Sequence, residues 1–270
     1  MNDKFIQLGN PNGKKILLAH ANAYTPEMYE YLVALLGEYH VIAPRHRPLW
    51  QRTAVKLKDW DIFCEDLIAF MDEHKLSNID AIGHSLGAVS IWKASWKRPD
   101  LFNKIILIDP VVIPEELVRW MSLVPYKIKE RLRPIIKIAS LRKTSWSSRE
   151  DAHAHLGSKS VFKRFVPEIF DTYIQSGIVP DGHGMFTLAF PREWEARIYS
   201  SPENTWKFMG KVDKQIHIIR AEHSNVINDE TWEKMKAKNN KYNYIFMPNV
   251  GHLIPFEQPK ALADVIVQIL

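Results

Sequence analysis

The strongest chemical signal in the chain is the pentapeptide Gly-His-Ser-Leu-Gly at residues 83–87, a G-x-S-x-G pattern. It follows an apolar run at 78–83 and precedes a helical pattern that begins at Leu86. A serine in a tight turn between a strand and a helix is exposed for attack, and the flanking glycines let the two elements approach closely. Backbone N–H groups at the start of the helix point towards an oxyanion beside the serine. This context predicts Ser85 as a nucleophile.

A nucleophilic serine needs a base, and 11 histidines compete for that role. His252 alone both follows the serine in the chain and lies in a loop just after an apolar strand, at 244–247. We expect the side chain of His84 to point away from the serine, and His20, at a strand end, to line the pocket floor. The H-x-H of residues 153–155 lacks a recognisable third metal ligand. His252 is therefore the predicted base, and no metal is implied.

The elements that position these groups alternate between strand and helix. Short apolar runs predict strands at 15–20, 40–44, 78–83, 104–108, 215–220 and 244–247. Apolar residues at helical spacing predict helices at 27–38, 59–75, 86–96, 229–238 and 259–270. Such alternation predicts an α/β fold, with a mostly parallel sheet flanked by helices.

This alternation stops between residues 111 and 208, where seven prolines break the chain into several predicted helices. We therefore predict an α/β core at 1–110 and 209–270, with a helical insertion at 111–208. An insertion that leaves the end of a strand returns to the same end. Ligands of such sheets bind beyond the carboxyl ends of the strands, so the insertion should cover the site as a cap.

Composition excludes several classes of protein. The 270 residues include 46% apolar and 25% charged residues, which rules out a disordered chain. A single cysteine, Cys64, rules out an intramolecular disulfide and CxxC zinc sites and favours a reducing compartment. The first 15 residues contain no continuous apolar run, so we expect no secretory signal. No apolar run approaches the ~20 residues that span a bilayer. We expect a cytoplasmic protein without stable membrane insertion.

With these motifs, the chain resembles the α/β-hydrolase superfamily, in particular its capped serine esterase and thioesterase-like subgroup. The resemblance rests on GHSLG, His20-Ala-Asn-Ala-Tyr24, Val250-Gly-His252, Pro255-Phe-Glu-Gln-Pro259 and the stretch 186–196. It covers nearly the whole chain and implies the α/β-hydrolase fold with an inserted helical cap. The subgroup's early motif reads H-A-N-G-F, so Ala23 and Tyr24 depart from it. The stretch 45–50 departs from the common D-x-R-G-H-G, and both departures bear on the substrate.

The resemblance also implies an oxyanion hole. Its two donors would be the backbone N–H groups of Leu86, after the nucleophile, and of Asn22, after the His-Ala pair. Losing one such donor typically costs ~2.7–4 kcal/mol of transition-state stabilisation. An ordinary turn role for Asn22 is the alternative.

The acid of the triad has three candidates. In most of this fold it follows the seventh strand in a G-x-x-D pattern, but here a serine, Ser224, stands at that position. Some relatives carry the acid after an earlier strand, where this chain has Asp109. The resemblance thus favours Asp109, with Glu222 and Asp229 as alternatives. An aspartate that only caps the start of the insertion is the competing interpretation of Asp109.

The insertion carries a basic segment at residues 126–144. It holds seven Lys/Arg residues and one acid, out of a net charge of +5 for the whole chain. We expect a solvated face, and the alternative is a dock for an anionic substrate part such as coenzyme A phosphates. Eight aromatic residues of the insertion could line an apolar pocket or only pack together: Trp120, Trp146, Phe162, Phe165, Phe170, Tyr173, Phe186 and Trp194.

Taken together, the residues predict a serine hydrolase that cleaves a carboxylic ester or thioester through an acyl-Ser85 intermediate. No cofactor and no nucleic-acid partner are implied, and the expected partner is a small-molecule substrate. Two alternatives remain open. The same residues support hydrolysis of a carbon–carbon bond in β-diketone-like substrates, and the same fold supports a catalytically silent ligand-binding protein.

Overall fold

Ten strands occur within residues 4–270, the part of the chain that the computed structural model describes. They are β1 (Phe5–Gly9), β2 (Lys14–Ala19), β3 (Tyr39–Pro44), β4 (Ile79–His84), β5 (Phe102–Ile108), β6 (Ser145–Trp146), β7 (Ile178–Pro180), β8 (Phe186–Leu188), β9 (Gln215–His223) and β10 (Asn243–Gly251). Residues 1–3 lie outside the described residues. The first residues of the predicted core at 1–110, and of the N-terminal stretch considered for a secretory signal, therefore lie outside them too.

Twelve α-helices connect these strands within the described residues. They are α1 (Glu30–Leu36), α2 (Asp61–Glu73), α3 (Leu86–Lys97), α4 (Glu115–Leu123), α5 (Tyr126–Leu132), α6 (Pro134–Ser140), α7 (Arg149–Gly157), α8 (Pro167–Gly177), α9 (Arg192–Ser200), α10 (Asp229–Lys238), α11 (Ile254–Glu257) and α12 (Pro259–Ile269). None of them is long and apolar enough to cross a membrane.

Seven strands form the main sheet, in the order β1-β3-β2-β4-β5-β9-β10. All neighbouring pairs are parallel except the edge pair, where β1 runs antiparallel to β3 with Phe5 opposite Pro44. The central strands are buried on both faces, as the near-continuous apolar runs of parallel strands require. The predicted mostly parallel sheet is therefore confirmed.

Two apolar layers cover the faces of this sheet. Alternate residues of each strand point to opposite faces, so Leu17 packs with α2 and α3 while Ile16 packs with α1 and α12. Both side chains are fully buried. The packing brings the carboxyl ends of β4 and β5 side by side, with His84 opposite Ile108. The residues that follow these two strands are Ser85 and Asp109.

The chain between β5 and β9 holds six helices, α4 to α9, and the three short strands β6, β7 and β8. These strands form a separate antiparallel sheet in the order β6-β8-β7. The insertion thus contains several helices, as predicted, together with a small sheet that the sequence did not indicate. The two strand pairings span two and three residues, too short for an alternating pattern to be visible in the sequence. The assignment of 111–208 as a separate cap domain stays a prediction.

Candidate active site

Ser85 lies in a sharp turn between β4 and α3. Its backbone has φ 55° and ψ −113°, a strained conformation for a residue with a side chain. Gly83 and Gly87 make the turn possible. A Cβ on Gly83 would lie 2.5 Å from the Cα of Ala88, and one on Gly87 would lie 2.1 Å from the carbonyl oxygen of Ala19. The spacing of the motif is thus set by the close contact of helix and sheet.

The structure brings the three predicted triad side chains into one hydrogen-bonded chain. His252, in the turn after β10, has its Nε2 2.9 Å from the Oγ of Ser85. Its Nδ1 lies 2.7 Å from Oδ2 of Asp109. With the proton on Nδ1, the histidine donates to the carboxylate and accepts from the serine hydroxyl. That is the arrangement in which it can take a proton from Ser85.

The carboxylate of Asp109 is fully buried at the end of β5 and is held at both oxygens. Oδ1 accepts a hydrogen bond from the backbone N–H of Ala221 at 3.2 Å. Oδ2 accepts a second bond from the hydroxyl of Ser224 at 2.8 Å, beside the one from His252. Ser224 stands where the resemblance placed the usual acid, and here its hydroxyl bonds the carboxylate that contacts His252. In the sequence, Ser224 was noticed only because it stands where an aspartate was expected.

The two alternative acids lie elsewhere. The side chain of Glu222 is exposed and accepts a hydrogen bond from the backbone N–H of Asn249 at 2.6 Å. Asp229 begins α10, is almost fully exposed and pairs with Arg220 at 2.6 Å. Neither forms a hydrogen bond with His252 within residues 4–270. The geometry therefore favours Asp109 as the partner of the histidine.

A buried histidine ties the turn of Ser85 to the other parts of the site. The Nδ1 of His84 lies 2.7 Å from the Tyr29 hydroxyl, which accepts a 3.0 Å hydrogen bond from the N–H of Ala21. Its Nε2 lies 3.0 Å from the carbonyl oxygen of His252. Burial and the nearby imidazole of His252 lower the pKa of His84 to about 3, so it is neutral. The neutral ring donates from Nε2 and accepts at Nδ1, which matches both partners. Sequence analysis did not identify Tyr29, because its partner lies 55 residues away.

The predicted oxyanion-hole residues line one cavity together with Ser85 and His252. Leu86 begins α3, and Asn22 lies in the turn after β2, beside Ala23 with its positive φ of 68°. These placements put a helix N-terminus and a turn on the side of the serine. Their role as oxyanion donors stays a prediction.

His20 does not line the cavity floor, and that expectation is wrong. It is fully buried, and its ring packs against that of His46 at an interplanar angle of 50°, with ring centroids 4.1 Å apart. Its Nε2 accepts a hydrogen bond from the N–H of His46 at 2.9 Å. Burial lowers the pKa of His46 to about 4 and holds that of His20 well below its usual range. Both residues are neutral packing groups beneath the site.

Potential metal ligands within residues 4–270 gather at one place, the trio Asp61, Cys64 and Glu65 on α2. The ammonium group of Lys97 already bonds both carboxylates of this trio. Lys93 adds a second ammonium group 3.0 Å from Asp61. The trio is therefore an ion-pair cluster. His153 of the H-x-H pair is exposed and lies 3.3 Å from Asp171.

The cavity has a volume of about 1010 Å³ and lies between the sheet ends and the insertion. Of the eight aromatic residues named in the sequence analysis, Phe162 lines the cavity. Others join the insertion to the core, because Trp194 packs against Phe63 and Phe165 packs against Phe256. Of the seven basic residues of segment 126–144, three reach its wall: Arg133, Arg142 and Lys143. Lys159 and Arg164 add two more cations to the lining.

Arg142 is the buried member of this basic set. Its Nη1 donates to Glu195 of α9 at 2.9 Å, and its Nη2 donates to the Tyr173 hydroxyl at 2.7 Å. Burial lowers the pKa of the guanidinium, but Tyr173 and Glu195 outweigh burial and raise the pKa above its usual value. The guanidinium of Arg142 therefore keeps its charge and forms an ion pair with Glu195. Segment 126–144 is accordingly not a uniformly solvated face.

Known proteins share this architecture. The chain is 24% identical over 209 residues to an abhydrolase domain-containing protein of Schizosaccharomyces pombe, covering 76% of this chain and 72% of the relative. The solved structure of E-2-(acetamidomethylene)succinate hydrolase superposes with a TM-score of 0.77 at 18% identity, over 98% of this chain and 93% of that one. A thermophilic esterase from Thermogutta terrifontis gives a TM-score of 0.68 at 18% identity, over 98% and 91%.

These structural likenesses confirm the predicted α/β-hydrolase fold. The sequence profile of the Alpha/beta hydrolase family matches residues 16–265, which is most of the chain. The protein therefore belongs to the alpha/beta hydrolase family.

Proposed function

We propose that the protein is a serine hydrolase that cleaves a carboxylic ester or thioester through an acyl-Ser85 intermediate. The observation that carries this proposal is the hydrogen-bond chain from Ser85 through His252 to the buried Asp109, at 2.9 and 2.7 Å. A serine hydroxyl is a weak nucleophile unless a base removes its proton. The strained turn of Ser85 and its place on the cavity wall support the same role.

The first half of the reaction forms the acyl-enzyme. The Oγ of Ser85 attacks the substrate carbonyl while the Nε2 of His252 takes the hydroxyl proton. Asp109 holds the proton on Nδ1 and stabilises the imidazolium without itself becoming protonated. The backbone N–H groups of Asn22 and Leu86 face the oxygen on which negative charge develops. The imidazolium then gives its proton to the leaving alcohol or thiol as the bond to the carbonyl carbon breaks.

The second half regenerates the enzyme. A water molecule loses a proton to His252 and attacks the acyl carbon, and the proton then returns to the Oγ of Ser85 as the acid leaves. The cavity volume of about 1010 Å³ suits a small-molecule substrate. The likeness to an esterase from Thermogutta terrifontis supports ester cleavage.

Covalent labelling tests this proposal. A fluorophosphonate probe should add one mass increment, on the peptide that contains Ser85, and the Ser85→Ala variant should not be labelled. Turnover of p-nitrophenyl esters and acyl-CoAs of graded chain length should disappear in the same variant. Labelling or turnover that persists in Ser85→Ala would refute the proposal.

A further inference from the structure

The side chain of Asn22 has an unusual environment for a buried amide. The residue is 6% exposed and lines the cavity beside Ser85. Neither its Nδ2 nor its Oδ1 has a hydrogen-bond partner among residues 4–270. The Asn22 amide lies near the Tyr199 hydroxyl and opposes the rise in the Tyr199 pKa that burial causes, but no hydrogen bond of normal geometry joins the two groups.

Some of the other buried polar side chains near Ser85 are paired within the protein. His84 bonds Tyr29, and Arg142 bonds Glu195 and Tyr173. Burying an amide without a partner costs free energy, which is why most buried polar groups in native proteins are bonded. An amide left open towards a cavity is explained most simply by a ligand group that bonds it. The amide of Asn22 is thus placed to bond a ligand group.

The chemistry of the amide and its surroundings narrows the ligand. An amide offers one acceptor oxygen and two N–H donors, so its best partner both donates and accepts. Arg142 stands on the same cavity wall, but its charge is balanced by Glu195. The cavity wall also carries Arg133, Lys143, Lys159 and Arg164, so charge does not decide between ligand groups. The amide itself does: a hydroxyl group both donates and accepts, whereas a carboxylate only accepts.

The reaction geometry places that hydroxyl on the acyl side. Under the proposed function, on which this inference rests, the leaving group must face His252 to receive its proton. The proposed function makes the backbone N–H of Asn22 a donor to the carbonyl oxygen, which would place the side-chain amide of the same residue close to the reacting carbonyl group. We propose that Asn22 recognises a hydroxyl near the carbonyl of the acyl group, and that the substrates are hydroxyacyl esters or thioesters.

Matched esters test the inference by kinetics. The wild-type enzyme should hydrolyse p-nitrophenyl 3-hydroxybutanoate with a kcat/KM about 10-fold above that for p-nitrophenyl butanoate, as one or two added net hydrogen bonds allow. The preference should fall to about 1 in Asn22→Leu, which keeps the backbone N–H and the approximate volume. The exposed Asn240, outside the cavity lining, provides the control Asn240→Leu, which should keep the wild-type ratio. Equal kcat/KM values in the wild-type enzyme would overturn the inference.

A binding measurement separates this inference from the proposed function. Calorimetry on the Ser85→Ala variant should show ethyl 3-hydroxybutanoate binding about 10-fold more tightly than ethyl butanoate. Adding Asn22→Leu should abolish the difference. If the hydroxyl preference is present but no ester is turned over, the proposed function fails and Asn22 keeps its binding role. If both esters are turned over but bind equally, the inference fails and the proposed function stands.

Discussion

Replacing Asp109 by asparagine should nearly stop turnover. In this buried site, neither orientation of the introduced amide keeps both the hydrogen bond from Ala221 and the correct tautomer of His252. The N–H of Ala221 donates to Oδ1 and the Nδ1–H of His252 donates to Oδ2. If the amide oxygen of the introduced asparagine stays with Ala221, its NH₂ group faces Nδ1 and forces the proton onto Nε2. In that tautomer His252 has no lone pair at Nε2 to accept the proton of Ser85.

The flipped orientation is also unfavourable. The amide oxygen would then accept from His252, but the NH₂ group would face the N–H of Ala221, two donors with no acceptor between them. Leaving a buried donor unsatisfied costs about 1–3 kcal/mol, which favours the orientation with the wrong tautomer. By analogy with serine proteases we expect kcat to fall by about 10⁴, equivalent to about 5 kcal/mol.

The assay is the steady-state hydrolysis of a p-nitrophenyl ester, with folding checked by circular dichroism. Ser224→Ala removes one donor to the Asp109 carboxylate and should cost about 10-fold in kcat. Glu222→Gln is the matched control, because that carboxylate is exposed and accepts a hydrogen bond from the N–H of Asn249. If Asp109→Asn keeps most of its turnover while Glu222→Gln abolishes it, the assignment of the acid is wrong.

Three further predictions concern stability and the substrate. Gly87→Ala should destabilise the fold by about 3 kcal/mol or more in urea unfolding, because its Cβ would lie 2.1 Å from a backbone oxygen of β2. At Gly37 an added Cβ would meet no atom of residues 4–270 within 4 Å beyond its chain neighbours, so Gly37→Ala should lose only about 1 kcal/mol for its positive φ. In the folded protein the pKa values of His46 and His84 are about 4 and 3, below the unfolded value near 6.5. Their contribution to the free energy of unfolding is therefore complete above pH 6.5 and is lost on acidification. The free energy of unfolding should be lower at pH 5 than at pH 8 by about 2 kcal/mol for each histidine, and equal values at the two pH values would contradict this. If segment 126–144 docks phosphates, kcat/KM for an acyl-CoA should fall with salt while that for a neutral ester stays nearly constant, and equal responses would contradict docking.

The sequence predicted the parts of the fold that have strong local patterns. Runs such as Lys104–Ile108 and the helix from Leu86 are regular and long enough to be seen, so the central sheet followed from them. The edge strand β1 was missed, because its sequence Phe-Ile-Gln-Leu-Gly is short and mixed. Strands β6 to β8 were missed for the same reason, since their pairing is decided by tertiary contacts.

The same distinction applies to the candidate site: local sequence marks some of its residues, and only the structure reveals the others. Ser85 and His252 stand out because each follows a strand and has a distinctive sequence neighbourhood. The hydrogen bond between Tyr29 and His84 joins residues 55 positions apart, and the one between Arg142 and Glu195 joins residues 53 apart. No local pattern carries such pairs, because they depend on the packing of separate elements. That the side-chain amide of Asn22 has no hydrogen-bond partner among residues 4–270 is likewise visible only in the structure.

The acyl-enzyme itself gives the most direct test of the account. The enzyme should be mixed rapidly with p-nitrophenyl butanoate, quenched in acid, digested and analysed by mass spectrometry. The account predicts a butanoyl increment on the peptide that contains Ser85, formed with a burst of one p-nitrophenol per active site and absent from Ser85→Ala. A butanoyl group on another residue, or steady turnover in Ser85→Ala, would contradict the account.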